Sequence, residues 1–408
     1  MPEQGSAIPP LRILIDASSA KMGGAVTYLT NVLRRLPPPE SGYEFVVYLP
    51  AQTAQKQKGL DSNIQLIPIA SGRGAWWKSI WWQQVTLRRL LKLHKADVMY
   101  STRNFAMWHS PVRQILLVAN ALYFSKAYHR GALTRHSGRF QVAFRLRRWL
   151  ICQSARRADV VVAPTQATLD DLRQFVEVGP EKTLVNPYGA FPAALPCPEG
   201  RKALSVPGCP GDSTVRLVYV SLYSEHKNLS TLLKAMPLLN RDGARKFRLL
   251  TTVNPGWPGA AWTVTHQEDL ALARRPDVAP WVEFVGPSTN GEAQQLYREG
   301  DIFVFPSVCE SFGLPMVEAM AHGLPIVAAD TPVNREICGE AALYFRPLDP
   351  EDLAEKVILL GRNQALREKL GTMGQGRAAT CFRWEDHVER LLQAAGNAPL
   401  PQHQSRAA

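Results

Sequence analysis

Residues 303–330, FVFPSVCESFGLPMVEAMAHGLPIVAAD, decide how the chain folds. The run 302–305 is short, β-branched and aromatic, as a buried strand requires. Pro306 and Ser307 break it. Pro315 suits the first turn of a helix, where its missing N–H costs nothing. That helix continues over 316–322, and Gly323 stops it. The order is therefore strand, loop, helix N-terminus. Such a helix start offers free N–H groups and the positive end of a dipole, which together attract anions. Gly313 lets a ligand approach the backbone closely. Glu310 precedes this anion site, and Glu318 stands eight residues later, about a turn inside the helix. A ligand carrying both phosphate and several hydroxyls fits that pattern, as a nucleotide sugar does.

Working outward, short strands and helices alternate through the first half. Strands are expected at 13–16, 43–49, 64–69, 97–101, 114–119 and 159–163, with an amphipathic segment at 76–94. Residues 191–214 are rich in Pro and Gly and read as a linker. Alternation resumes with strands at 217–220, 248–252, 282–285, 302–305 and 326–329. Alternating β and α units predict parallel sheets covered on both faces. A chain of 408 residues has room for two such domains. The fold class is α/β, with two doubly wound Rossmann-like domains facing across a cleft. The boundaries are 1–190 for an acceptor-side domain, 191–214 for the linker and 215–375 for a nucleotide-sugar domain. A helix at 376–398 would pack back toward the N-terminal domain, and a disordered tail would run from 399 to 408.

The same residues resemble glycosyltransferase family 4, the retaining, metal-independent enzymes of the GT-B fold, whose signature pairs two glutamates eight apart. The resemblance extends to the run 335–345, to Phe382-Arg383-Trp384, to the run 160–165 and to Asn186-Pro187-Tyr188-Gly189. It implies that Glu318 binds the ribose hydroxyls and that Glu310 sits by the transferred sugar. The backbone N–H groups of Phe312, Gly313 and Leu314 would take sugar or phosphate oxygens. Lys227 corresponds to the family's diphosphate-binding lysine, six residues after a strand-end glycine. Ser221 stands in that glycine's place, and Leu222 stands where many members carry arginine. Lys227 then carries the phosphate charge alone or with His226. Gly23 and Gly24 resemble the N-terminal glycine loop. Asn120 occupies a position that is often histidine; asparagine hydrogen-bonds a hydroxyl but is no general base. It also suits a plain loop cap. The catalytic candidates are thus Glu310, Lys227 and Asn120. The donor-binding candidates are Glu318, Phe312, Gly313, Leu314, Gly23, Gly24, Ser221 and His226. No metal or cofactor is expected, and the nucleotide-diphosphate sugar is a co-substrate.

The expected reaction moves a hexosyl group, with mannosyl or rhamnosyl favoured, to a glycan or lipid-linked acceptor in surface polysaccharide or lipopolysaccharide assembly. The alternatives are a GT-B epimerase or phosphorylase, or a non-catalytic scaffold. Leu222 and Asn120 keep the last of these open.

The six cysteines show neither Cys-x-x-Cys nor zinc-finger spacing. They read as reduced thiols of a cytoplasmic protein. No signal peptide or apolar run of spanning length is seen. The net charge of +12 is uneven: residues 62–158 hold seventeen Lys or Arg and one acid, Asp97, so 17 − 1 = +16. Trp76, Trp77, Trp81, Trp82 and Trp149 are interleaved. Basic surface with tryptophan suits peripheral contact with an anionic membrane face. A solvated basic face and core tryptophans are the competing reading. No recognition helix, zinc finger or RNP motif points to nucleic acid.

Overall fold

The computed structural model describes residues 9–70, 80–190, 214–241, 245–257, 260–286 and 290–396. Trp76, Trp77, Cys197, Cys209, residues 191–213 of the expected linker and the tail 399–408 lie outside them. The chain divides into two compact units.

The first unit holds a parallel sheet of β1 (Leu11–Asp16), β2 (Tyr43–Pro50), β3 (Ile64–Ile69), β4 (Val98–Ser101), β5 (Arg113–Leu117), β6 (Val160–Ala163) and β7 (Thr183–Val185). Their order is β3-β2-β1-β4-β5-β6-β7. Strands such as Val98–Ser101 and Val160–Ala163 are buried at every position, because helices cover both faces of a parallel sheet. The chain runs outward from β1 through β2 to β3, then returns to β4 on the other side of β1. The switch point of the sheet therefore lies between β1 and β4.

The second unit repeats the plan with β8 (Val215–Tyr219), β9 (Phe247–Thr251), β10 (Val282–Phe284), β11 (Ile302–Phe305), β12 (Ile326–Ala329) and β13 (Ala342–Phe345), in the order β10-β9-β8-β11-β12-β13. All pairings are parallel. Here the switch point lies between β8 and β11.

Three expectations need correction. The strand expected at 114–119 ends at Leu117, and Asn120 lies beyond it. The helix expected at 376–398 is two helices, Gln364–Cys381 and Trp384–Ala395. The break falls where Phe382 turns into the second unit, edge-on to Phe312 with ring centroids 5.6 Å apart. The division at 190 is also incomplete. Residues Ser125–Val142, which precede β6 in sequence, belong to the second unit, whereas the chain from Trp384 onward belongs to the first. The amphipathic segment before β4 includes a π-helical stretch, Trp82–Thr86, running into the helix Leu87–Leu93.

The helix Trp384–Ala395 is fastened within the first unit by His387. Its Nδ1 lies 3.0 Å from the Pro187 carbonyl and its Nε2 lies 2.9 Å from the Tyr28 hydroxyl. The carbonyl can only accept, so Nδ1 carries the proton and Nε2 accepts from Tyr28. Tyr28 in turn bonds the Tyr100 hydroxyl. Asn186 donates its side-chain amide to the His387 carbonyl at 3.0 Å. Burial pushes His387 from its ordinary 6.5 down to about 4. A depressed histidine contributes stability that is fully present above 6.5 and is lost as pH falls toward 4. Chemical denaturation should show a loss of about 3 kcal/mol across that window. His387→Gln, neutral at every pH, should flatten this part of the profile. An unchanged slope in the variant would show that His387 is not its source.

Candidate functional site

The second unit's switch point brings together most of the residues singled out in the sequence. After β8 the chain makes a short turn, Glu225–Lys227, closed by Asn228 in the left-handed conformation at φ 52°. After β11 it passes through Ser307 and Glu310 to Gly313, which caps the helix Leu314–Ala321. The two loops are stitched together. The Val308 N–H donates to the His226 carbonyl at 3.0 Å, and the Asn228 side-chain amide donates to the Pro306 carbonyl at 3.0 Å. The Tyr219 hydroxyl, from β8, donates to the Lys227 carbonyl at 2.8 Å.

Lys227 thereby reaches Glu310. Its Nζ lies 2.5 Å from Glu310 Oε1, with the side chains only 14% and 11% exposed. Ser307 Oγ donates to the same oxygen at 2.6 Å. An ion pair this sheltered from water is held by geometry as much as by charge, and removing one partner leaves the other unbalanced.

Gly313 takes φ 82°, and a Cβ there would fall 2.5 Å from Met316 Cε. The positive φ favours glycine at this cap, and the Met316 side chain would have to shift to admit a Cβ. At the start of the helix that Gly313 opens, the Leu314 N–H lies ahead of the intrahelical ladder, Pro315 has no N–H, and the Met316 N–H donates to the Gly313 carbonyl at 2.9 Å. Phe312 is fully buried and acts as an anchor for this loop.

Glu318 lies further along the same helix. The Tyr297 hydroxyl donates to its Oε2 at 2.8 Å. Desolvation pushes the Glu318 carboxyl up to about 7, and the Tyr297 hydrogen bond acts against that rise. The Tyr297 ring stacks on His322, with centroids 5.4 Å apart.

His226 sits against Ser224, Oγ to Nδ1 2.9 Å. Burial first, and then the charge of Lys227, hold its imidazole well below the usual histidine range. A neutral His226 can share a hydrogen bond but adds no positive charge to that of Lys227. Ser221 is fixed to β9: its N–H donates to Thr252 Oγ1 at 2.9 Å, and that hydroxyl donates back to its carbonyl at 2.8 Å. Leu222 is 41% exposed and brings no charge.

The remaining candidates lie in the first unit. Gly23, at φ 59° and ψ −145°, caps the helix Gly24–Leu33 that follows β1. The side chain of Asn120 accepts from the Leu122 N–H at 3.1 Å and so caps a short turn, Ala121–Tyr123. That is the loop-cap role its sequence position also allowed. Tyr297, Ser307 and Glu225 were not singled out in the sequence. Among the described residues no group of three or more His, Cys, Asp or Glu is arranged to hold a metal ion.

Comparison with known proteins identifies the family. The profile described as "Glycosyl transferases group 1" matches residues 214–363 and that of "Glycosyltransferase Family 4" matches residues 22–190. The chain belongs to glycosyltransferase family 4. It is 32% identical over 252 residues to a D-inositol 3-phosphate glycosyltransferase of Actinosynnema mirum, covering 60% of this chain and 59% of that protein. It is 26% identical over 179 residues to O-antigen chain mannosyltransferase B of Escherichia coli, covering 43% and 44%. The chain thus spans under three fifths of the length of these curated relatives. In fold it resembles sucrose-phosphate synthase of Thermosynechococcus elongatus (TM-score 0.71, 16% identity, 94% of this chain and 97% of that one). It also resembles WaaG, a glycosyltransferase involved in lipopolysaccharide biosynthesis (TM-score 0.67, 16% identity, 95% and 100%). The fold is that of the GT-B glycosyltransferases: two parallel-sheet α/β units. In this family member the two signature glutamates have different environments. Glu310 is paired with a cation, and Glu318 is desolvated beside a phenol.

That difference is measurable. Carboxyl carbon NMR should show Glu318 of the unliganded protein titrating near 7 rather than at its ordinary 4.5. Tyr297→Phe should raise the value further, because the hydrogen bond it removes favours the charged form. A Glu318 titrating as an exposed carboxylate would contradict the desolvation described.

Proposed function

We propose that the chain is a retaining, metal-independent glycosyltransferase that moves a hexosyl group from a nucleoside-diphosphate sugar to a glycan or lipid-linked glycan. The observation that carries this reading is the Lys227–Glu310 pair at the second unit's switch point, beside the helix N-terminus capped by Gly313. Ligands of open parallel sheets bind at such points. The relatives named for mannosyl and inositol-phosphate glycosyl transfer support a sugar donor and a polyhydroxylated acceptor. Surface polysaccharide or lipopolysaccharide assembly is the setting we favour, with mannosyl or rhamnosyl as the sugar.

The residues then have distinct tasks. Lys227 and the N–H groups at Gly313 and Leu314 balance charge on the diphosphate as it leaves. Glu318, as a carboxylate, accepts from both hydroxyls of the ribose. Glu310 faces the sugar and responds to positive charge at the anomeric carbon. The bond from the anomeric carbon to the phosphate oxygen breaks, and its electron pair goes to that oxygen. The acceptor oxygen forms its bond on the same face, and its proton passes to the departing phosphate. No side-chain base is needed, in keeping with asparagine at 120.

With a panel of UDP-, GDP- and dTDP-sugars, nucleotide release should require an acceptor. Release without acceptor and with interconversion of sugars would support an epimerase, and binding without turnover a scaffold. Glu318→Ala should weaken donor binding by about 10- to 100-fold, the range for a hydrogen bond to a charged group.

The acceptor side carries a second feature. Along the helix Gly138–Arg157, Leu146 and Trp149 are 40% and 51% exposed. They stand three residues apart and so share one helix face. Arg145, Arg156 and Arg157 on that helix are exposed as well. No helix among the described residues is long and apolar enough to cross a membrane. We therefore propose peripheral contact with an anionic lipid face, on the cytoplasmic side. Co-sedimentation should favour anionic over neutral vesicles, and Leu146→Ser with Trp149→Ser should reduce it. Equal binding to both vesicle types would remove this contact.

A further inference from the structure

The turn that carries Lys227 begins at Glu225, whose side chain is 1% exposed. A carboxylate is rarely buried so fully without partners, and this one has three. The Tyr128 hydroxyl donates to Oε1 at 2.5 Å, His136 Nε2 lies 2.8 Å from the same oxygen, and the Val264 N–H donates to Oε2 at 3.0 Å. Tyr128 and His136 come from Ser125–Val142, the segment that precedes β6 in sequence yet belongs to the second unit. Arg135 of that segment also reaches the Val264 carbonyl at 3.1 Å and pairs with Glu268 at 2.5 Å. A parallel fastening holds the residue two places earlier: the Tyr223 hydroxyl donates to Asp269 at 2.5 Å. Neither Glu225 nor Tyr223 points its polar atoms at the Lys227–Glu310 pair. Both hold the backbone that presents it.

We propose that Glu225 is a positioning residue for the diphosphate site, which it serves by locking the Lys227 turn to residues 125–142. The inference rests on the reading of Lys227 as the diphosphate cation. Lysine is a point charge on a flexible stem, so its contribution depends on where its backbone is held. Leu222 supplies no second cation beside it. In Glu225→Gln the side-chain amide nitrogen can donate but not accept. It would replace an acceptor that the Tyr128 hydroxyl, His136 Nε2 and the Val264 N–H share, and the Val264 N–H cannot accept from it. Tyr128→Phe removes a single hydroxyl and keeps the ring.

The test is a double-mutant cycle read as binding of UDP and GDP to the full-length protein by calorimetry. Each of E225Q and Y128F should weaken nucleotide binding about five- to twentyfold. In a K227A background the same changes should alter affinity by less than about twofold, because the group they position is gone. A merely structural Glu225 would lower the unfolding temperature and leave affinity of the folded protein unchanged, which overturns the proposal. A loss of equal size with and without Lys227 overturns it too. If E225Q does not fold, Y128F alone decides between these outcomes. K227A binding both nucleotides as the parent does would instead remove the reading of Lys227 itself, and this inference with it.

Discussion

Lys227 and Glu310 meet where the second sheet changes direction, one from the loop after β8 and the other from the loop after β11. The rest of the site depends on this contact. Side by side in the sheet, β8 and β11 deliver their loops to the same crevice although some eighty residues separate them. The pair is nearly neutral and largely shielded from water, so each charge fixes the other. Around it the backbone is held from several sides: Asn228 to Pro306, Val308 to His226, Tyr219 to Lys227. Preorganisation of this kind lets an electrostatic site act without rearranging during the reaction.

The two signature glutamates differ in their surroundings. Glu310 has a lysine and a serine donor, and its charge is already balanced. Glu318 has only a tyrosine hydroxyl against a large desolvation, so its proton is held up to about neutrality. One carboxylate has a cation against it, and the other has a neutral phenol. A spacing of eight residues places the first before a helix cap and the second inside the helix. The backbone at Gly313 makes that transition possible.

Much of this could be read before the fold was known. The strand at 302–305, the proline in the first helical turn and the stop at Gly323 come from local chemistry that the sequence states directly. The two sheets follow from alternation of apolar runs with amphipathic ones. Short strands at the sheet margins were harder: Thr183–Val185 spans three residues and has no pattern to detect. The length of β5 was overestimated because Val118 and Ala119 remain apolar after the ladder ends at Leu117. The placement of Ser125–Val142 was not legible at all. Helical pattern shows that a segment has an apolar face, not which sheet will cover it. The partners of Glu225 and the hydroxyl beside Glu318 come from residues about 20 to nearly 100 positions away. Sequence spacing carries no signal for such contacts.

Hydrogen–deuterium exchange with and without a nucleoside-diphosphate sugar tests the central claim most directly. If the switch point of the second unit is the donor site, ligand should protect amides in 221–228 and 307–319 and leave β9, β10 and the sheet margins as they were. Protection that bypasses both loops at saturating concentrations of every donor, in a folded protein, would contradict the account.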